Sequence, residues 1–161
     1  MDALERLVAI QEIRDQIARY AIHFDDKSWD EFAELWAEDA VFAGPDMVFE
    51  GKAAVLDFLM GCLPADYTGK HMISPPLVEL IDDSHARART DVVWITMDFQ
   101  NQIVARYDDA FRRVDGRWLF ERRGEVVVPY RAGGPPMSEA AMAVSSATMR
   151  PVNPNESDTR P

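Results

Sequence analysis

Two acids stand side by side at Asp25 and Asp26, near the end of a stretch that reads as a helix. A histidine, His71, opens a later stretch, "HMISPPLVELI", that reads as a strand. An aspartate that accepts the Nδ1–H of an imidazole fixes the tautomer, leaves Nε2 free as a base and steadies the imidazolium once it forms. Removing a proton near neutral pH needs little beyond such a pair and an apolar pocket. Each residue also has a plainer reading. Asp25 can be a helix-end carboxylate beside a turn. A lone histidine on a strand with Leu77, Val78 and Leu80 is commonly a satisfied core or interface residue.

The remaining chemistry-bearing residues are fewer. Of the three histidines, His23 falls off the buried stripe of its helix and His85 sits in the turn-like "DDSHARA". No HxH or HxxxH spacing is present, so a metal centre is not expected. The sequence has no GxGxxG, Walker or GxSxG pattern, so nucleotide and serine-hydrolase chemistry find no support. Arg122 and Arg123 lie in a closing hairpin. Counting back from its turn, Asp115-Gly116, places Asp109 opposite Arg122 and Asp108 opposite Arg123. That register favours cross-strand ion pairs. A bulge before Gly124 would instead redirect an arginine inward, toward an anion or a developing negative charge.

The elements that must hold these groups follow from periodicity. Residues 3 to 26 predict one long helix, with Ile10, Ile13, Ile17, Tyr20, Ala21 and Phe24 at helical spacing. At about 100° per residue, Asp25 lies on the flank of that stripe and Asp26 on the opposite side. Ser28 and Glu31 read as a capping box opening a second helix from Trp29 to Trp36. Two short extended pieces around Gly44-Pro45-Asp46 follow, then a third helix over 52–63. Strand-like patterns take over from His71 onward: "ARARTDVVWITMDF", a turn at "FQNQ", and the hairpin "IVARYDDAFRRV" and "RWLFERRGEVVV". Helices first and a long antiparallel sheet second imply an α+β fold, with helices on one face of a curved sheet and a pocket between them. Residues 1–130 read as the domain. Residues 131–161, rich in Pro, Gly, Ser and Met, read as an arm or tail in which 137–149 form a helix on a partner subunit.

The totals narrow the function further. The 161 residues carry 28 acidic against 17 basic side chains, a formal charge of −11. Such a surface repels nucleic acid and anionic membranes. With 47% hydrophobic residues the chain is globular. The single cysteine, Cys62, rules out an intrachain disulfide or a multi-cysteine zinc site and suits a reducing cytoplasm. The N-terminal segment is charged throughout, unlike a secretory signal. No apolar run approaches the roughly 20 residues of a membrane span. Met47, Phe49, Phe58, Met60, Met72, Trp94, Met97 and Phe99 are core by default. If some of them line a pocket, the ligand is a small apolar molecule, aromatic or polycyclic.

A family resemblance enters here. "IARYAIHFDDKSWDEFAELWAEDAVF", "GKHMIS" and "FRRVDGRWLFERR", in that order over about residues 6–128, resemble the SnoaL-like branch of the nuclear transport factor 2-like superfamily. Its members that come nearest are scytalone dehydratase, hexachlorocyclohexane dehydrochlorinase and the bile-acid dehydratases. The resemblance implies a cone-shaped α+β barrel and a cofactor-free elimination run by an Asp–His pair, here Asp25 and His71. It places a cationic pocket position on Arg123. The dehydrochlorinase lysine falls on Tyr20, which argues against dehydrochlorination. The tyrosine that precedes the aspartate in scytalone dehydratase is Phe24 here, and that enzyme's second histidine falls near Thr96. Tyr20 or Tyr107 would then supply a phenol donor, and Trp94 a pocket wall.

The expected function is a lyase of the dehydratase type, or an isomerase, acting on a small, largely apolar substrate without cofactor or metal. Two alternatives share the fold: a non-catalytic binding or assembly protein, and the small subunit of a ring-hydroxylating dioxygenase. "VVWI", apolar on both faces, implies a homo-oligomer. The dehydratase resemblance favours a trimer over a dimer.

Overall fold

The computed structural model describes residues 1–63, 68–99 and 102–127, and the 131–161 arm lies outside them. The first helix, α1 (Ala3–Asp25), is the one the periodicity predicts, and it buries Ala9, Ile13, Ile17, Tyr20 and Phe24. Its N-terminus carries a capping box that the sequence reading missed. The Asp2 carboxylate accepts from Glu5 N–H at 2.8 Å, and Glu5 accepts from Asp2 N–H at 2.6 Å.

The box expected at Ser28 is absent. Ser28 makes no side-chain cap, because it belongs to the end of α1. Lys27 adopts φ 56°, its N–H donates to the carbonyl of Phe24, and Ser28 N–H donates back to that of His23. This paired arrangement closes a helix through a left-handed residue. It leaves Asp25 as the last helical residue, on a rigid stop.

The second helix is also shorter than expected. α2 (Trp29–Ala33) ends three residues before Trp36, which opens the first strand. Helical spacing is a local signal, and here a strand partner overrides it. β1 (Trp36–Gly44) hydrogen-bonds β2 (Met47–Glu50) on one side. On its other side it runs parallel to the last strand, β7 (Arg117–Val127). α3 (Lys52–Gly61) follows and packs on β1 and β2.

The rest of the sheet is antiparallel: β3 (Gly69–Ile73) and β4 (Leu77–Leu80) pair side by side with β5 (His85–Thr96), then β6 (Gln102–Val114), then β7. Pro75 and Pro76 divide β3 from β4, the break expected of two residues without N–H donors. His85 is the first residue of β5 and stays exposed. Gln100 and Asn101, the end of the expected turn, lie outside the described residues.

The fold is the α+β arrangement expected, helices first and a curved sheet second; the sheet is mixed and open, with β1 parallel to β7 and the other pairings antiparallel. Among the described residues it has seven strands in the order β2-β1-β7-β6-β5-β3, with β4 beside β3 on β5. The core lies between the sheet and the helices, with Phe32, Trp36, Phe42, Phe111, Trp118 and Phe120 all at most 2% exposed. No described helix is long and apolar enough to cross a membrane.

The hairpin of β6 and β7 turns at Asp115-Gly116, both at positive φ, with Val114 opposite Arg117 as counted from the sequence. The register then slips. Phe111 faces Phe120, but Ala110 faces Arg122, so Glu121 is an extra residue on β7. Asp109 consequently pairs with Arg123, and Asp108 with Gly124. Both cross-strand pairs expected from the sequence are thereby corrected. A bulge of one residue reverses which side chains face inward. Up to Phe120 the even residues point to the core; past Glu121 the odd ones do, Arg123 and Glu125 among them.

Candidate active site

Asp25 and His71 meet. The end of α1 lies against β3, and the Asp25 side chain is only 3% exposed. Its Oδ2 accepts the backbone N–H of His71 at 2.8 Å, and its Oδ1 lies 2.6 Å from His71 Nδ1. One carboxylate thus grips both the main chain and the ring of one residue. With Asp25 ionised, Nδ1 carries the proton and Nε2 keeps its lone pair. Asp26 turns the other way and pairs with Lys70 at 2.7 Å. The division of labour between the two acids is the one helix geometry predicts.

The imidazole stands nearly perpendicular to the rings of Tyr20 and Phe24, at centroid distances of 5.9 and 5.3 Å. Nε2 lies 3.4 Å from Tyr107 Oη, a long contact that a ligand hydroxyl could replace. Trp94, directly opposite His71 across the β3–β5 ladder, forms the next wall. Its indole lies where a side chain at residue 69 would be: a Cβ there would come within 2.3 Å of the Trp94 ring. Gly69 is what lets the tryptophan lie over β3.

These residues line a cavity of about 380 Å³. Tyr20 and Phe24 of α1, His71 of β3, Val92 and Trp94 of β5, and Ala105 and Tyr107 of β6 form one side. Phe42, Met47, Phe58, Leu59 and Leu63 form the other. The walls are chiefly apolar, and the volume falls in the range of small-molecule sites, about 300–1,000 Å³. A second hollow, beside Arg14, Arg87 and Arg122, is larger but lined mostly by charged residues, and it contains neither Asp25 nor His71.

Of the eight site residues expected from the sequence, six line this cavity or complete the pair at its wall: Asp25, His71, Tyr20, Phe24, Trp94 and Tyr107. Two do not face it. Thr96 is buried at the end of β5, where its hydroxyl bonds Asp98. Arg123 is fully buried behind the cavity wall and gives Asp109 two bonds, Nε to Oδ1 at 2.8 Å and Nη2 to Oδ2 at 2.7 Å. Its guanidinium carbon lies 3.8 Å from the Tyr20 ring centre and 4.0 Å from that of Tyr107. Burial alone would lower the Arg123 pKa, but Asp109 outweighs it, so the guanidinium stays charged. The cation touches the back of the two tyrosines and not the cavity. All four candidate pocket methionines are exposed, and of them Met47 lines the cavity whereas Met60, Met72 and Met97 do not.

The two phenols are held neutral. Burial pushes the Tyr20 pKa up to about 12 despite Arg123, and burial raises that of Tyr107 well above its usual value of 10.0. Both are therefore hydrogen-bond donors at physiological pH. The sequence reading missed Glu125, which also lines the cavity. Burial lifts its carboxyl pKa, against the opposing pull of Arg123 and His71. The signal that could have found it is the inward parity of β7, and Glu121 conceals that. Among the described residues, no cluster of three or more metal-ligating side chains occurs.

Residues 5–124 match the family model of the SnoaL-like domain. No curated protein sequence matches the chain. Among solved structures, a scytalone dehydratase-like protein of Novosphingobium aromaticivorans shares 23% identity at a TM-score of 0.70, covering 80% of this chain and 91% of that one. A hexachlorocyclohexane dehydrochlorinase of Novosphingobium barchaimii shares 19% at a TM-score of 0.68, covering 81% and 95%. The β subunit of an aromatic-ring-hydroxylating dioxygenase-like protein from N. aromaticivorans shares 17% at 0.66, covering 78% and 93%. At these identities the likeness is one of fold.

Proposed function

Because this chain belongs to the SnoaL-like domain family, within the nuclear transport factor 2-like superfamily, we propose that it is a cofactor-independent lyase of the dehydratase type, or an isomerase, acting on a small apolar substrate. The observation that carries this reading is the 2.6 Å contact between Asp25 and His71 Nδ1 at the wall of an apolar cavity, with Nε2 on the inner side. His71 Nε2 takes a proton from a substrate carbon that a neighbouring carbonyl has made acidic. Asp25 holds the tautomer and balances the imidazolium. The electrons of the broken C–H bond form a double bond. In an elimination the departing β-oxygen leaves with the proton returned by the imidazolium; in an isomerisation a second carbon of the substrate takes it.

The phenol of Tyr107 donates to the oxygen on which negative charge grows, in a site where little water competes. Arg123 acts from behind the two tyrosine rings, where its charge makes each phenol a better donor. That is a different role from the direct anion contact expected of it. Phe24 and Trp94 are read as substrate walls.

We further read the chain as a homo-oligomer, dimer or trimer. Leu77 and Val126 are 75% and 55% exposed on sheet strands, surface that a second copy would cover. Its free cysteine, Cys62, suits a reducing cytoplasm.

The test is carbon-proton exchange. Cyclic β-hydroxy ketones are incubated with the protein in D2O, and loss of α-protons and appearance of the enone are followed by NMR. His71→Gln, shown folded by circular dichroism, is expected to slow exchange by about 10²- to 10⁴-fold. Exchange that is as fast in the variant as in the parent would falsify the base assignment.

A further inference from the structure

Glu125 is the one carboxylic acid among the described residues lining the cavity, and the proposed reaction leaves it unused. It sits on β7 past the bulge, directly across the ladder from Tyr107, whose hydroxyl touches His71. Facing residues on neighbouring strands bring their Cβ atoms to about 4.5–5.5 Å. Glu125, Tyr107 and His71 all line the same cavity. The side chain is half-buried, and it makes no hydrogen bond or ion pair among the described residues. A carboxylate without a protein partner among aromatic and aliphatic walls is costly unless water or a ligand supplies the missing donor, and a ligand that fills the cavity displaces the water. Arg123 does not line the cavity, and its Nε and Nη2 are taken by Asp109.

We infer that Glu125 is the ligand-selecting residue of the cavity: it accepts a hydrogen bond from the hydroxyl of a neutral, ring-containing apolar ligand and turns carboxylate-bearing analogues away. The inference rests on reading the cavity as the reaction site and adds the class of molecule admitted. Its chemistry has two parts. A hydroxyl donor satisfies the acceptor, whereas a carboxylate brings a second negative charge into a cavity lined, among the described residues, by no arginine or lysine. In such a medium like charges repel far more strongly than in water. The inner surface thus favours alcohols over acids of the same shape.

The experiment compares 2-naphthylmethanol with 2-naphthoate, which differ in charge and little in shape. Calorimetric titrations at pH 7.5 and fixed ionic strength give both affinities for the parent protein and for Glu125→Gln. Shifts of the His71 ring signals place each ligand in the cavity. The expected result is that the parent binds the alcohol at least 10-fold more tightly than the acid. Glu125→Gln should then narrow that ratio by about 10-fold, chiefly by admitting the acid. Equal affinities in the parent, no binding of the alcohol, or an unchanged ratio in the variant each overturn the inference. Glu125→Ala provides a second reading if the amide itself makes a new contact, and the same narrowing is expected of it. Because equilibrium binding needs no turnover, these outcomes are independent of whether His71 acts as a base.

Discussion

Replacing Arg123 by methionine tests where its charge resides. Both side chains of the Arg123–Asp109 pair are fully buried and joined by two short bonds. Removing the cation leaves an uncompensated carboxylate in the core, which typically costs about 3–5 kcal/mol. The guanidinium also rests on the rings of Tyr20, Tyr107 and Phe120, contacts worth about 0.5–2 kcal/mol together. A total of about 5 kcal/mol is a large share of the roughly 5–15 kcal/mol that holds a domain together. With a urea dependence of about 2 kcal/mol per molar, the unfolding midpoint should fall by about 2.5 M. The informative partner is the double variant, Asp109→Leu with Arg123→Met. It removes both charges and should recover most of the loss, since apolar replacements of buried pairs are often neutral or better. The assay is urea unfolding of the parent, both single variants and the double. A single variant within about 1 kcal/mol of the parent, or a double variant no better than the single, refutes the reasoning. If Arg123 instead met an anion in the cavity, the single variant would lose function with little loss of stability.

Three further outcomes can be checked in parallel. Gly69→Ala should cost about 1–3 kcal/mol and alter the near-ultraviolet tryptophan signal, because the new Cβ would lie 2.3 Å from the Trp94 ring and 2.9 Å from the carbonyl of Ile95; an unchanged signal would show that the indole is not held there. Asp25→Asn should keep the fold yet slow carbon-proton exchange by about 10²- to 10⁴-fold, since an amide cannot balance the imidazolium; NMR exchange rates decide. Burial raises the Glu125 carboxyl above its ordinary 4.5, so as pH climbs through that value the unfolded chain releases this proton before the folded one does. Stability is therefore lost as pH rises above 4.5 toward the folded-state value, and Glu125→Gln should gain on the parent over that rise in paired urea melts. A constant difference would contradict this.

The parts of the molecule legible in the sequence are those set by near neighbours. The stripe from Ile13 to Phe24 repeats every three or four residues, so α1 and the inward lean of Asp25 could be read directly. Asp115-Gly116 announces its turn because both residues tolerate positive φ. The errors lie where distant chain decides. Trp36 continues a helical spacing, but β7 offers it a strand partner. Ser28 resembles a helix cap, but its N–H closes the preceding helix instead.

The largest consequence comes from Glu121. The alternation in "RWLFERRGEVVV" is regular to the eye, and nothing local marks one residue as surplus. Once Glu121 is extra, Arg122 turns outward, Arg123 enters the core beside Asp109, and Glu125 reaches the cavity. The Asp25–His71 pair was legible because residue chemistry and resemblance pointed to the same two positions. Glu125 was not, because its placement depends on a shift of register.

The double hold of Asp25 on His71 separates aim from appetite. The reactive nitrogen takes its bearing from a helix terminus and from its own main chain, while Phe42, Met47, Phe58 and Ile103 arrive on other segments. Those distant walls can be re-cut, by drift or by a protein engineer, without disturbing the proton-handling hardware. A scaffold wired this way is suited to changing its menu while keeping one tool.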